Sequence, residues 1–233
     1  MALNSVYLEY IQKAIKENYP VERLNLRMLE LGDQIINDTN VKEKTGKKYF
    51  SNRNIEHTSV DFNGLNGSLM LDLRKPEEFV EFHNHFDIIT NSGTTEHVDP
   101  KSNQYECFGI LHDCLKTGGI MIHLLPDIDE LRKYGAWRYH CSNYYSQEFF
   151  EVLAADCKYE LKSITTINHL ICVVLKKTEE SIFTKERDKF LALITYQQIP
   201  LFVKIKEKTG ELLRSLRIRV KHKMLKTPVN IIV

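Results

Sequence analysis

Apolar positions fall into two periods along this chain of 233 residues. Tyr7, Tyr10, Ile11, Ala14 and Ile15 recur at helical spacing and predict a helix over 4–18, which Pro20 ends. "RMLEL" (27–31) predicts a short strand turned by Gly32, followed by a helical or irregular connection through "KEKTGKKYF". "HTSVDF" (57–62) alternates β-branched and polar residues and predicts a second strand. "NGLNG" (63–67) is turn chemistry, and "SLMLDL" (68–73) is a third apolar piece.

The same periods run on. "PEEFVEFHNHF" (76–86) predicts a short helix with Pro76 in its first turn, and "FDIITNSG" (86–93) a buried strand. "YECFGILHDCLKTGG" (105–119) predicts a helix with Phe108, Leu111, His112 and Leu115 as its stripe and Gly118 as its stop. A strand over "IMIHLLP" (120–126) follows, then a helix over "SQEFFEVLAADC" (146–157) capped by Ser146. "YELKSITTIN" and "HLICVVLKK" predict two strands that meet at Asn168 as an antiparallel hairpin. Strands alternating with helices predict an α/β fold: a Rossmann-like, mostly parallel sheet with helices on both faces and an antiparallel final strand. The expected division is a helical segment over 1–24, the α/β domain over 25–178 and a basic helical extension over 179–233.

In such sheets ligands bind at the carboxyl ends of the strands, so the residues there become the candidates. They are Glu30, Gly32 and Asp33 after the first strand, Asp61 and Phe62 after the second, and Asp72 and Leu73 after the third piece. Asn91 follows on the fourth strand and His123 on the fifth. A carboxylate after the second strand can accept two hydrogen bonds from ribose hydroxyls, and a glycine after the first lets the backbone approach a ligand.

Taken in order, these segments resemble the class I S-adenosylmethionine-dependent methyltransferases. "LELGDQ" is similar to their first motif, "SVDFN" to their acidic second-strand motif, and "LMLDLRKP" to their adenine-contacting Asp segment. "FDIITNSGTTEHV" and "CLKTGGIMIHLLP" resemble the fourth motif and the Gly-Gly strand after it. The resemblance covers roughly residues 25–177 and implies S-adenosyl-L-methionine as cofactor, held by Glu30, Gly32, Asp33, Asp61, Phe62, Asp72, Leu73 and Asn91.

Two departures stand out. The family's first motif is E/D-x-G-x-G-x-G, whereas Glu30-Leu31-Gly32-Asp33-Gln34-Ile35-Ile36 keeps the first glycine alone, so Gln34 and Ile36 are expected to crowd the cofactor. Only residues 62–67 separate Asp61 from Ser68, too few for a parallel crossover of about a dozen residues, so "SLMLDL" is expected to be an irregular or displaced strand.

Methyl transfer from a sulfonium needs a positioned acceptor and, for a hydroxyl or ammonium, a group that takes its proton. Glu96, His97, His123 and His140 lie near or beyond the fourth and fifth strands and are the candidate catalytic groups. Trp137, Arg138 and Tyr139, in the aromatic loop "YGAWRYHCSNYY", are the candidate wall for a polar acceptor. No metal-ligand spacing occurs.

The function expected is methylation at O or N of a small polar acceptor, with a sugar or glycan precursor as the leading class. The alternative is a methyltransferase-like fold serving as a binding or assembly protein. A nicotinamide-dependent oxidoreductase fits less well, because pyrophosphate needs the missing glycines.

Composition adds less. Hydrophobic residues make up 42% and charged residues 27%, enough for a buried core under a polar surface. No apolar run of eighteen residues occurs, the N-terminus lacks a signal-peptide core, and the expected location is the cytoplasm. Five cysteines without a CxxC pair suggest neither a disulfide framework nor a zinc knuckle. Charge is uneven: residues 201–233 carry nine Lys/Arg against two Asp/Glu, so the rest of the chain is net acidic. The tail repeats Leu201, Ile205, Leu212, Leu216 and Val220 at helical spacing, which predicts a basic amphipathic helix. That helix is expected to dock on its own body or a second subunit, with an anionic membrane surface as the competing partner; nucleic acid is not expected.

Overall fold

The structure, a computed structural model, describes residues 2–19 and 25–200. The predicted tail helix lies outside them. Helix α1 (Ser5–Asn18) starts where the Asn4 side chain accepts the N–H of Tyr7. The remaining elements are β1 (Leu26–Leu31), α2 (Gly46–Ser51), β2 (Ile55–Val60), β3 (Phe86–Ser92), α3 (Gln104–Cys114) and β4 (Leu115–Pro126). They continue with α4 (Ile128–Tyr134), β5 (Asn143–Tyr144), α5 (Gln147–Asp156), β6 (Tyr159–Ile167), β7 (Leu170–Lys177), α6 (Arg187–Ala192) and β8 (Thr195–Tyr196).

The main sheet has six strands in the order β2-β1-β3-β4-β7-β6. The first four are parallel, β7 runs antiparallel to β4, and β6 antiparallel to β7. Because side chains alternate across a strand, the buried strands feed two cores. Met28, Ile88, Ile120, Ile122, Cys172 and Val174 face α1 and α2, packing against Leu8, Ile11, Tyr49 and Phe50. Leu29, Ile89, Met121, Val173 and Leu175 face the other way, against Phe108 of α3, Phe149 and Phe150 of α5 and Phe190 of α6. The fold is therefore the expected Rossmann-like sheet covered on both faces. The β6–β7 hairpin turns at Asn168 and His169, both with φ near the left-handed region (49° and 65°).

Three local expectations meet the structure differently. "SLMLDL" forms no strand: a single parallel bridge, Leu69 to Val60, is all that stands in place of the irregular or displaced strand expected there. Residues 76–82 adopt a 3₁₀ helix. Helix α3 ends at Cys114, earlier than predicted, because Leu115 already has extended dihedrals and opens β4. Gly118 does not stop the helix: it takes φ +84° inside the extended segment, and a Cβ on Gly119 would lie 2.9 Å from the Asp87 carbonyl. After β7 the chain returns to the body, with Phe190 and Ile194 in the core and β8 paired to β5. Among the described residues, no helix is long and apolar enough to cross a membrane.

Candidate active site

The candidate residues gather where the parallel strands end, in two groups joined by one hydrogen bond. The Thr94 hydroxyl, beyond β3, donates to the Leu31 carbonyl of β1 at 2.8 Å. Between them stands Gly32, with φ +80°. A Cβ there would lie 2.7 Å from Thr94 Oγ1 and 2.8 Å from Gln34 Nε2, so a larger residue would have to displace both side chains and hold a left-handed backbone. The two residues expected to crowd this loop, Gln34 and Ile36, part ways. Gln34 folds back over Gly32 and donates to the Leu31 carbonyl at 3.2 Å. Ile36 does not crowd this face: it bridges to Leu3 and is buried against α1.

On one side of Gly32 lie the acids. Glu30 is buried, and its Oε2 stands 3.6 Å from His57 Nε2. A side chain at Gly46 would overlap the Glu30 carboxylate. Burial raises the Glu30 pKa, and His57 opposes the shift. Asp61 accepts the N–H of Asp33 through Oδ2 and that of Asn63 through Oδ1, each at 2.9 Å. Each Asp61 oxygen keeps a further acceptor position, so this half-buried carboxylate can still receive two hydroxyls. Asp33 has its pKa raised by burial and by the charge of Asp61, while Asn66 donates to it.

Beside the acids, Phe62 is 62% exposed and Met70 is 71% exposed, with Leu65 and Leu69 also at the surface. Such apolar side chains on a loop suit the face of a planar ring. Asp72 is otherwise engaged: Arg74 forks onto both its oxygens at 2.7–3.0 Å and holds its pKa down. The Arg74 guanidinium also lies 5.6 Å from the Phe62 ring centre. Leu73 is buried in the core and does not join this group.

On the other side of Gly32, Glu96 and His97 lie in a 3₁₀ turn (Thr95–His97), and His140 comes from the loop after α4. Donor atoms of all three lie within 4.8 Å of one another. The His97 and His140 rings meet edge to face at 5.0 Å, and Trp137 packs on His140 at 5.2 Å. The Glu96 carbonyl accepts the Ser142 N–H at 3.2 Å and Asn143 Nδ2 at 3.1 Å, which ties the His140 loop to the 3₁₀ turn. Trp137 donates from Nε1 to the His169 carbonyl. Arg138 and Tyr139 stay exposed on the same loop. Burial pushes Glu96 up to about 7. It also holds His97 and His140 below the usual imidazole range, His97 further by the nearby His140.

His123 is not brought into this cluster. It is fully buried, with Nδ1 accepting from Asn91 Nδ2 at 3.1 Å and its ring beside Phe108 and Phe150. Asn91 is buried with it and also donates to Thr95 Oγ1 at 2.8 Å, so it supports the 3₁₀ turn from below. Sequence reasoning passed over Thr94, Asn66 and Asn143, whose roles depend on contacts between distant loops.

No family model and no curated protein matches the sequence. Solved structures do match. A methyltransferase of Methanosarcina mazei, described as SAM-dependent, aligns with 77% of this chain and 100% of its own at TM-score 0.51 and 12% identity. The N-methyltransferase NodS of Bradyrhizobium japonicum, solved with S-adenosylhomocysteine, aligns over 76% and 89% at TM-score 0.51 and 10% identity. The 1,6-didemethyltoxoflavin-N1-methyltransferase of Burkholderia thailandensis aligns over 75% and 82% at TM-score 0.50 and 12% identity. The chain has the fold of the class I S-adenosylmethionine-dependent methyltransferases.

Proposed function

We propose that this chain is an S-adenosylmethionine-dependent methyltransferase acting at O or N of a small polar acceptor, such as a sugar. The observation that carries the reading is the placement of two chemically different groups on either side of Gly32, one at the carboxyl ends of β1 and β2 and one beyond β3. One group, Asp33 and Asp61, offers negative charge and paired acceptors, which suit a cationic ligand that carries a ribose diol. The exposed Phe62 and Met70 beside it suit an adenine face. Asp72 fits an adenine amine only where Arg74 yields one of its oxygens.

The cofactor supplies an electrophilic methyl group. The chain's own task is to hold the acceptor in line with it and to dispose of a proton. We assign that task to Glu96, His97 and His140, whose donor atoms lie close together, and the acceptor wall to Trp137 with the exposed Arg138 and Tyr139. One structure of similar fold, the 1,6-didemethyltoxoflavin-N1-methyltransferase, holds 1,6-didemethyltoxoflavin and S-adenosylhomocysteine, which supports a small-molecule acceptor here.

The test is incubation of the full chain with labelled S-adenosylmethionine and a panel of sugars, amines and phenols. Label transfer to at least one acceptor, reduced in Asp61→Ala at limiting S-adenosylmethionine, supports the reading; no transfer to any acceptor counts against it.

A further inference from the structure

Glu96 is 1% exposed, yet its Oε2 has no hydrogen-bond partner. His140 Nε2 is likewise buried and unpartnered. His97 Nε2 stands 3.7 Å from Glu96 Oε1, too far for a hydrogen bond. Three strong donor groups therefore converge without bonding to one another. Buried polar groups are rarely left so, and a carboxylate removed from water either takes up a proton or draws a counter-charge.

We propose that Glu96, His97 and His140 form a binding site for a divalent first-row transition ion, of which zinc is the type. Two imidazoles and one carboxylate suit zinc or ferrous iron and suit magnesium poorly. An ion with bonds of about 2.0–2.2 Å in tetrahedral array holds its donors roughly 3.3 Å apart. The present spacings, all within 4.8 Å, are wider than that, so the donors must draw together on an ion. The loop is already set for this, because Ser142 and Asn143 anchor it to the Glu96 carbonyl. Three protein donors leave a coordination position open, and the cluster meets solvent on the His97 side, where that side chain is 41% exposed.

The sequence carries no metal motif because the third donor comes from a loop beyond α3, β4 and α4. With an ion bound, the lone pairs of these three groups are taken, so the ion would anchor and acidify an acceptor oxygen in place of the proton-accepting role given to them above. That role of the ion rests on the methyltransferase reading; the site itself does not.

The experiment uses full-length protein stripped with a chelator. Zn²⁺ binding is followed by calorimetry and Co²⁺ binding by visible absorption, in wild type, His140→Ala and the near-isosteric Glu96→Gln, with melting curves to confirm folding. One ion per chain at micromolar affinity or tighter is expected, weakened about 100-fold or more in both variants, with Mg²⁺ failing to compete. Absent saturable Zn²⁺ binding, or equal affinity in the folded variants, overturns the site. S-adenosylhomocysteine titrated into the same samples separates the two ideas. The nucleoside bound without zinc overturns the site and leaves the methyltransferase reading standing, whereas zinc bound without the nucleoside supports the site and removes its catalytic role.

Discussion

Asp33 donates its backbone N–H to Oδ2 of Asp61 at 2.9 Å, so the carboxylate that ends β2 also fixes the loop that ends β1. One side chain thus sets the loop and keeps lone pairs for a ligand. Asp61→Ala should weaken S-adenosylhomocysteine binding by about 1–3 kcal/mol, the range for losing hydrogen bonds to a charged group. Asp61→Asn, which keeps one acceptor for Asp33, should lose less. Calorimetric titration of both variants checks the order; equal affinity in wild type and alanine variant removes Asp61 from the ligand site.

Gly32 is held at φ +80° between Thr94 Oγ1 and Gln34 Nε2. Gly32→Ala forces either a strained backbone or displacement of both side chains, at about 1–3 kcal/mol. Denaturant unfolding should show that loss, and nucleoside affinity should fall with it. An alanine variant as stable as wild type would mean that the loop relaxes freely.

His97 sits at the exposed edge of its cluster. His97→Ala should lower turnover about 100-fold or more while leaving nucleoside affinity nearly intact. Steady-state kinetics with a confirmed acceptor, set beside the binding titration, decide this. A matching fall in affinity would place His97 at the cofactor instead.

His123 gives a pH signature. Burial lowers its folded-state pKa from 6.5 to about 3, so the native protein holds it neutral. The stability it contributes is present above the unfolded value of 6.5 and is lost as pH falls toward about 3. The slope for one such group is about 1.4 kcal/mol per pH unit. Denaturation at pH 7 and pH 5 should show a smaller difference in His123→Gln, which keeps an acceptor for Asn91 without titrating. An unchanged difference would mean that His123 is not the group responsible.

Much of the fold was legible in the sequence, because the strands are buried on both faces and read as apolar runs such as "IMIHLLP" and "LICVVL". The short link after Asp61 also foretold that "SLMLDL" would not be a regular strand, and a single Leu69–Val60 bridge is what forms there. The end of α3 was not legible: Leu115 continues the apolar stripe in helical register, and only its pairing with Phe86 makes it a strand residue. Ile36 was read as facing the ligand, because its partner Leu3 lies far away in sequence. Among the site residues, spacing named Glu96, His97 and His140 singly, but their convergence depends on how one loop folds over another. Arg74 on Asp72 and Gln34 over Gly32 are side-chain choices that no period in the sequence encodes.

The central claim is that the strand ends of β1 and β2 hold the cofactor. Calorimetric titration of the full chain with S-adenosylhomocysteine tests it most directly. One equivalent should bind at micromolar affinity, about 7–8 kcal/mol. No heat and no thermal shift at millimolar ligand would contradict it.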